Sequence, residues 1–184
     1  MSLVTDAIRA AASEMYQGDE ICREKSKQLL TEMGLPNGLL PLKDIVEVGY
    51  VKETGFVWLI QKKKCEHRFE KIGKPVQYAT EVTAYIEPNR ITKLTGVKAK
   101  ELLLWVMLRE IYVDVPPTGK ITFKTPTGLF RTYPVDAFQL QDDDDNNNNN
   151  KIENESEKKP AVNGLKEEPK PAVEIKPTVE VKEV

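Results

Sequence analysis

The chain has 184 residues, with 27 basic and 29 acidic side chains, and its composition changes near residue 140. All thirteen aromatic residues lie before that point, whereas residues 141–184 carry seven basic and twelve acidic side chains. The first part is long enough to bury a hydrophobic core, and the second has too few apolar residues to do so. We therefore predict an N-terminal helical segment packed on a barrel (1–34), the β-barrel domain itself (35–140) and a disordered acidic tail (141–184).

Composition also excludes several classes of protein. No run of about 18 apolar residues and no secretory hydrophobic segment is present, so we predict a cytoplasmic protein that associates at most peripherally with membranes. Cys22 and Cys65 are too few for a disulfide framework, and with the single His67 they are too few for a tetrahedral zinc site unless carboxylates join them. No glycine-rich phosphate loop occurs. We expect a monomer with no cofactor and no metal.

Two amphipathic helices are predicted at the N terminus. In the first, the apolar residues from Leu3 to Met15 fall on one helical face. In the second, Asp19 is the predicted N-cap, and Gly34 ends the helix before Pro36. We expect both helices to pack on the rest of the chain, and the alternative is a helix that lies on a membrane surface.

From Leu39 onward, β-branched and aromatic residues alternate with turn signals. The alternation from Val76 to Ile86 predicts one long half-buried strand, and Phe56–Ile60 is apolar on both faces. The uninterrupted stretch from Phe56 to Ile72 would span about 50 Å as a single strand, so we predict a break at Lys62–Lys64. Short strands at this density favour a closed, mostly antiparallel barrel, because closure removes exposed edges. The predicted fold class is mainly β (α+β).

One stretch has conflicting signals. Residues Ala99–Arg109 favour a helix on propensity alone. We assign the second half to a strand that continues through Ile111–Val113, because an apolar run followed by β-formers and then by Pro116 also suits a buried strand.

The residues that carry chemistry are sparse. No serine lies between residues 27 and 155, and no nucleophile elbow is present, which argues against a serine hydrolase. Cys65 and His67 would share one face of a strand about 7 Å apart. They form either a nucleophilic pair or, more simply, a buried thiol beside a hydrogen-bonded histidine. We assign no catalytic residue.

The run Lys62–Lys64, with three further basic residues close behind it, is the one basic cluster. At the rim of a barrel it would contact anionic lipid headgroups, each lysine contributing about 1 kcal/mol, or it would simply be a solvated loop that blunts a strand edge. We expect no nucleic-acid partner, because the first 140 residues have a net charge of only +3 and no aromatic platform accompanies the run.

The tail opens with Asp142–Asp145 and five asparagines and then repeats a Lys-Pro unit. This composition predicts a solvated, partly extended linker. Alternatively, Val173–Ile175 or Val179–Val181 adds as a strand to a protein partner.

Several strings in order resemble the plant domain-of-unknown-function 538 family: Gly38–Leu42, Glu53–Leu59, Val82–Ile86, Leu94–Trp105 and Tyr133–Phe138. The resemblance covers roughly residues 20–139 and favours strand over helix for Leu102–Val113. It implies a plant source, a small β-barrel behind an N-terminal helix and an association with stress responses. A similarity to lipid-binding bactericidal/permeability-increasing proteins and a hydrolysis of chlorophyll esters have been proposed for this family, without established catalytic residues.

We therefore predict a non-enzymatic domain that binds a lipophilic or amphipathic small molecule or a membrane lipid. Trp58, Tyr85 and Trp105 are the predicted ligand contacts, and Lys62, Lys63 and Lys64 are the predicted contacts to anionic headgroups. Ordinary core packing is the simpler explanation for the three aromatic residues. The alternative functions are a hydrolase of a lipophilic ester and a protein-interaction adaptor that acts through the tail.

Overall fold

The structure is a computed structural model that describes residues 1–141. The predictions made for the tail, its disorder and its partner-binding strands, fall on residues 142–184 and so lie outside the described residues.

The N terminus contains a short helix, a short strand and a longer helix: α1 (Asp6–Ala10), β1 (Glu14–Gln17) and α2 (Asp19–Glu32). The side chain of Thr5 caps α1 by accepting a hydrogen bond from the backbone of Ile8. The predicted first helix is wrong in its second half, because Met15 lies in β1 opposite Gly49. Hydrogen bonds to a distant strand decide this segment, and helical periodicity in the sequence does not report them.

The second predicted helix is confirmed, but its predicted N-cap is wrong: Gly18 is the N-cap and Asp19 is the first helical residue. The carboxylate of Asp19 instead accepts a hydrogen bond of 2.9 Å from the backbone of Ile45, which ties the start of α2 to the sheet. Gly34 follows the helix with φ +71°, a left-handed conformation that glycine adopts without strain.

The rest of the described chain is antiparallel sheet. Its strands are β2 (Ile45–Val51), β3 (Phe56–Gln61), β4 (Cys65–Phe69), β5 (Lys74–Glu87), β6 (Arg90–Glu101), β7 (Leu104–Met107), β8 (Glu110–Val113), β9 (Lys120–Lys124) and β10 (Phe130–Pro134), and a 3₁₀ helix follows at Val135–Phe138. The strand order is β1-β2-β3-β5-β6-β8-β9-β10, with β4 paired to β5 and β7 paired to β6. The mainly β fold class is confirmed.

The predicted closed barrel is wrong. Within residues 1–141, β1 is hydrogen-bonded to β2 and β10 to β9, and these two end strands do not pair with each other. The sheet is therefore open, with a short strand at each end, and short end strands limit the exposed edge that closure would have removed.

The two longest strands, β5 and β6, each pair with two partners along the same edge. The first half of β5 pairs with β4 and its second half with β3, so the partner strand changes between Tyr78 and Glu81. The buried amide of Gln61 donates to the backbone carbonyls of Tyr78 and Ala79 at 3.0 Å, which satisfies backbone groups at this irregularity. The predicted break at Lys62–Lys64 is confirmed, since β3 ends at Gln61 and β4 begins at Cys65.

The ambiguous stretch after Ala99 forms strand and not helix, but the prediction of one continuous buried strand is wrong, because β7 ends at Met107, β8 begins at Glu110, and Leu104 and Met107 are exposed. The end of β6 and β7 form a hairpin in which Glu101 pairs with Leu104, and β8 follows at Glu110. The loop of this hairpin consists of two leucines, Leu102 and Leu103, which no turn signal in the sequence marks.

Two hydrophobic clusters hold the sheet, one on each face of β3. Val57 and Leu59 belong to the main core, which α2 covers through Cys22 and Leu30. Phe56 and Trp58 point to the opposite face, into a second cluster that includes Ile8 of α1. The prediction that β3 is apolar on both faces is thus confirmed, because alternate residues enter different cores.

Candidate ligand-binding site

An apolar cleft opens at the end of the sheet where β5 and β6 approach β9 and β10. Its walls come from β5, β6, β7, β9, β10 and the 3₁₀ helix, and its apolar lining includes Val76, Val97, Ala99, Leu108, Phe123 and Phe138. Phe123, Tyr133 and Phe138 pack edge to face or tilted, with ring centroids 5.0 to 6.3 Å apart. These three packed rings form part of the cleft lining.

Charged side chains at the cleft lie together along its rim. The carboxylate of Glu101 accepts from Lys74 at 3.0 Å and from Arg131 at 3.4 Å. Two cations therefore share one carboxylate, which leaves the rim with a net charge of +1. A tyrosine hydroxyl is protonated at neutral pH, and burial raises the pKa of the neighbouring Tyr133 further, so this hydroxyl can donate a hydrogen bond. This arrangement can accept an anionic group.

The cleft volume is small, about 40 Å³, a few times the roughly 10–15 Å³ that a cavity needs to hold one water molecule. An apolar chain therefore enters only if the wall moves. The outer wall is suited to this, because Leu129 and Phe130 are 44 and 59% exposed and β10 is an end strand hydrogen-bonded to β9 in the described sheet.

Beside the cleft mouth stands the tip of the β6–β7 hairpin, residues Leu102–Leu104, which we call the leucine tip. Its three leucines are 92, 89 and 71% exposed. Leu102 has φ +52°, a left-handed conformation that costs a non-glycine residue about 1–2 kcal/mol. The sequence does not reveal this tip, because the three leucines belong to an apolar run that predicts a strand. The signal that was available is the pair of charges just before them, Lys100 and Glu101.

Trp58 lies away from the cleft. Its side chain is 0% exposed and its indole nitrogen donates to the carboxylate of Glu47 at 2.7 Å. The same carboxylate accepts from the guanidinium of Arg9 at 3.0 Å, which ties α1 to the sheet. The contacts of Trp58 are thus structural, and its ligand role stays a prediction.

The structure does not bring the three predicted aromatic contacts together. Tyr85 joins the cluster of Trp58 through an edge-to-face contact with Phe56 at 5.3 Å. Trp105 lies on β7 opposite Lys100, whereas Tyr85 lies opposite Thr92. Thr92 and Lys100 are eight positions apart on β6, a distance of about 25 Å in an extended strand. Of the three residues, Trp105 is the one beside the leucine tip.

Lys62, Lys63 and Lys64 are exposed in the bend between β3 and β4. The lysine run directly precedes the first residue of β4, Cys65, which pairs with Tyr78. The cleft rim lies near the last residue of β4, Phe69, which pairs with Lys74. The lysine run and the cleft rim therefore belong to different parts of the surface. Contact of the run with anionic headgroups stays a prediction.

Cys65 and His67 lie on β4, as expected, and form no hydrogen bond with each other among the described residues. His67 packs edge to face on Phe69, with ring centroids 4.7 Å apart. Burial, and to a smaller extent the positive charge of Lys43, lowers the pKa of His67. The hydrolase alternative stays a prediction, and the contacts of His67 are those of a packed, neutral imidazole.

The lowered pKa of His67 predicts a pH dependence of stability. Because the unfolded chain takes up a proton at about pH 6.5 and the folded chain only at lower pH, the free energy of unfolding should fall as pH decreases below about 6.5. His67 is the chain's only histidine, so thermal unfolding between about pH 7.5 and 5.5 reports on it. The variant His67→Gln should lose this part of the pH dependence, and identical profiles for both proteins would contradict the assignment.

The described residues contain no group of three or more side chains arranged to hold a metal ion. Among the helices in that part of the chain, none is long and apolar enough to cross a bilayer.

Comparison with known proteins identifies the family. The family model described as "Protein of unknown function, DUF538" matches residues 26–139, which include every strand from β2 to β10. A curated relative, "Uncharacterized protein At5g01610" of Arabidopsis thaliana, is 27% identical over 114 residues, and the match covers 62% of this chain and 62% of the relative. No solved structure matches the chain. The resemblance read from the sequence is thus confirmed, and the chain belongs to the plant DUF538 family of proteins of unknown function.

Proposed function

We propose that this domain binds an amphipathic small molecule, with the apolar part in the cleft and an anionic group at Lys74 and Arg131. The observation that carries the proposal is the separation of chemistry within one cleft: the walls are apolar, and the charges lie at the rim with cations in excess. Sites for small amphipathic ligands commonly combine an apolar interior with a few oriented polar groups.

The free energy of binding should favour a ligand with a single hydrocarbon chain. Removing apolar surface from water contributes about 25 cal/mol per Å², so the lining favours a hydrocarbon over water. Glu101 already neutralises one of the two cations, and an incoming anion would compete with it for Lys74 or Arg131. We therefore expect moderate affinity with a preference for anionic over cationic amphiphiles of equal chain length.

The proposal is tested by titrating the full chain with a fluorescent fatty acid such as cis-parinaric acid. Ala99 lines the cleft, so Ala99→Leu should fill it and weaken binding at least about tenfold. The matched control is Ala79→Leu, the same change at an exposed position of the neighbouring strand β5, which should bind as the unaltered protein does. Absence of binding by the unaltered protein, or equal binding by both variants, would contradict the proposal.

The link to stress responses, which the family resemblance implies, stays a prediction. A membrane lipid is one source of the proposed ligand chemistry, and a free fatty acid is another. The titration separates them when a lysophospholipid with a zwitterionic headgroup is compared with the fatty acid, because only the fatty acid offers a net negative charge to the rim.

A further inference from the structure

The leucine tip lacks the packing that leucine side chains ordinarily have. Single exposed leucines are normal on protein surfaces, but here three in succession are 92, 89 and 71% exposed at the end of a hairpin. Met107, on the same hairpin, is 47% exposed. A contiguous apolar patch of this kind marks a surface that another apolar phase covers.

Turn chemistry supports the same conclusion. The loop has two residues, and only the first, Leu102, has positive φ. Glycine is the preferred residue at the first position of such a loop, because it has no Cβ to clash. Leucine is unfavourable there because its backbone takes a left-handed conformation and its apolar side chain is exposed to water. The stability of the fold therefore does not explain a leucine at this position. Local conflicts of this kind are expected at functional sites.

The charges behind the tip identify the partner. Lys98 and Lys100 lie on β6 just before the tip, Lys74 and Arg131 lie at the cleft rim, and Glu101 is the carboxylate that the last two share. These five side chains together carry a net charge of +3. A second copy of the chain would bring two such positive regions together, whereas an anionic bilayer neutralises them.

Trp105 completes the arrangement. It is half-buried directly after the tip, and the ammonium of Lys100 lies 5.8 Å from its ring centroid. The leucines lie at the end of the hairpin, the indole and Lys100 lie side by side behind them, and Lys98 lies two residues further back. An apolar end followed by an aromatic ring and lysines matches the hydrocarbon and the interfacial zone of an anionic bilayer.

We propose that the leucine tip inserts into the interfacial region of anionic lipid bilayers, with Trp105 at the boundary and Lys98 and Lys100 on the headgroups. The proposal goes beyond occupation of the cleft, because it concerns attachment to a bilayer and needs no bound ligand. The two proposals fail separately: Ala99→Leu blocks the cleft and leaves the tip intact.

The test is flotation of the full chain with vesicles of phosphatidylcholine alone and of phosphatidylcholine with about one third phosphatidylserine. We expect binding to the anionic vesicles that weakens as salt shortens the Debye length from about 10 Å to about 3 Å. The double variant Leu102→Gly/Leu103→Asn should reduce the partition coefficient at least about tenfold. Its melting temperature should not fall, because glycine suits the left-handed position.

The matched control is Val115→Ser/Met15→Ser, which removes two exposed apolar side chains elsewhere, and it should bind as the unaltered protein does. The triple variant Lys62→Gln/Lys63→Gln/Lys64→Gln distinguishes the lysine run from the leucine tip. Full binding by this variant supports attachment through the leucine tip. A loss of binding as large as that of the tip variant would contradict attachment mainly through the tip. Phosphatidylcholine brominated in its acyl chains gives an independent readout. It should quench the emission of Trp105 and leave that of the buried Trp58 unchanged.

Three results would overturn the proposal. They are no binding to either vesicle at low salt, unchanged binding by the tip variant, and concentration-dependent dimers in sedimentation velocity that the tip variant abolishes. The last result would assign the leucine tip to contact between two copies of the chain.

Discussion

Gly49→Ala should lower the free energy of unfolding by about 3 kcal/mol, at the upper end of typical overpacking costs. Gly49 lies opposite Trp58 in the β2–β3 pair, and a Cβ added to it would overlap three atoms of the six-membered ring of the indole. The indole cannot move aside, because it is 0% exposed and its nitrogen is held by Glu47. Denaturant unfolding followed by circular dichroism measures the change.

A double-mutant cycle identifies the cause. Trp58→Phe removes part of the ring that an alanine at position 49 would strike, so the double variant should be destabilised by less than the sum of the two single variants. Additive effects would show that Gly49 is required for another reason, such as the approach of Met15 on β1.

Glu47→Leu is expected to cost about 3 kcal/mol. The carboxylate is buried and is the acceptor for both Trp58 and Arg9. Its removal leaves a buried indole N–H without an acceptor and removes the ion pair between α1 and the sheet. Glu47→Gln keeps an acceptor oxygen and should cost only about 1 kcal/mol.

The control for this experiment is Arg23→Ala, which breaks the ion pair of Arg23 with Asp19 on the exposed side of α2. Such a pair contributes about 0.5 kcal/mol or less. If Glu47→Leu were no more costly than Arg23→Ala in urea unfolding, the bridging role of Glu47 would be wrong.

Local patterns predicted those parts of the fold that local interactions determine. The alternation in Val76–Ile86 predicts β5, because alternate residues of a strand enter the core. The double-sided apolar pattern of Phe56–Ile60 predicts a strand between two clusters, and the break at Lys62–Lys64 follows from the length that one strand can span. Each of these inferences needs only neighbouring residues.

The errors concern interactions between distant residues. Met15 fits a helical face, but its backbone pairs with β2, more than thirty residues away. Closure of the barrel requires that β1 and β10 pair, and no periodicity within either strand reports whether they do. Sheet pairing between remote segments is decided by tertiary packing, which a single sequence does not display.

The candidate site could not be predicted from the sequence for the same reason. Lys74, Glu101 and Arg131 come from β5, β6 and β10 and meet only once the sheet is formed. The aromatic residues favoured from the sequence were chosen for size, and size also suits core packing, as Trp58 shows. The three leucines of the tip are adjacent in the sequence, but their exposure depends on a two-residue loop that contains no residue typical of turns.

Native mass spectrometry of the full chain isolated from plant tissue shows whether the cleft holds an amphipathic molecule. We expect a retained anionic lipophile of defined mass on the unaltered protein and on Ala79→Leu, and none on Ala99→Leu. Folded protein at its bare polypeptide mass, or the same retained molecule on Ala99→Leu, would show that the cleft is not the binding site.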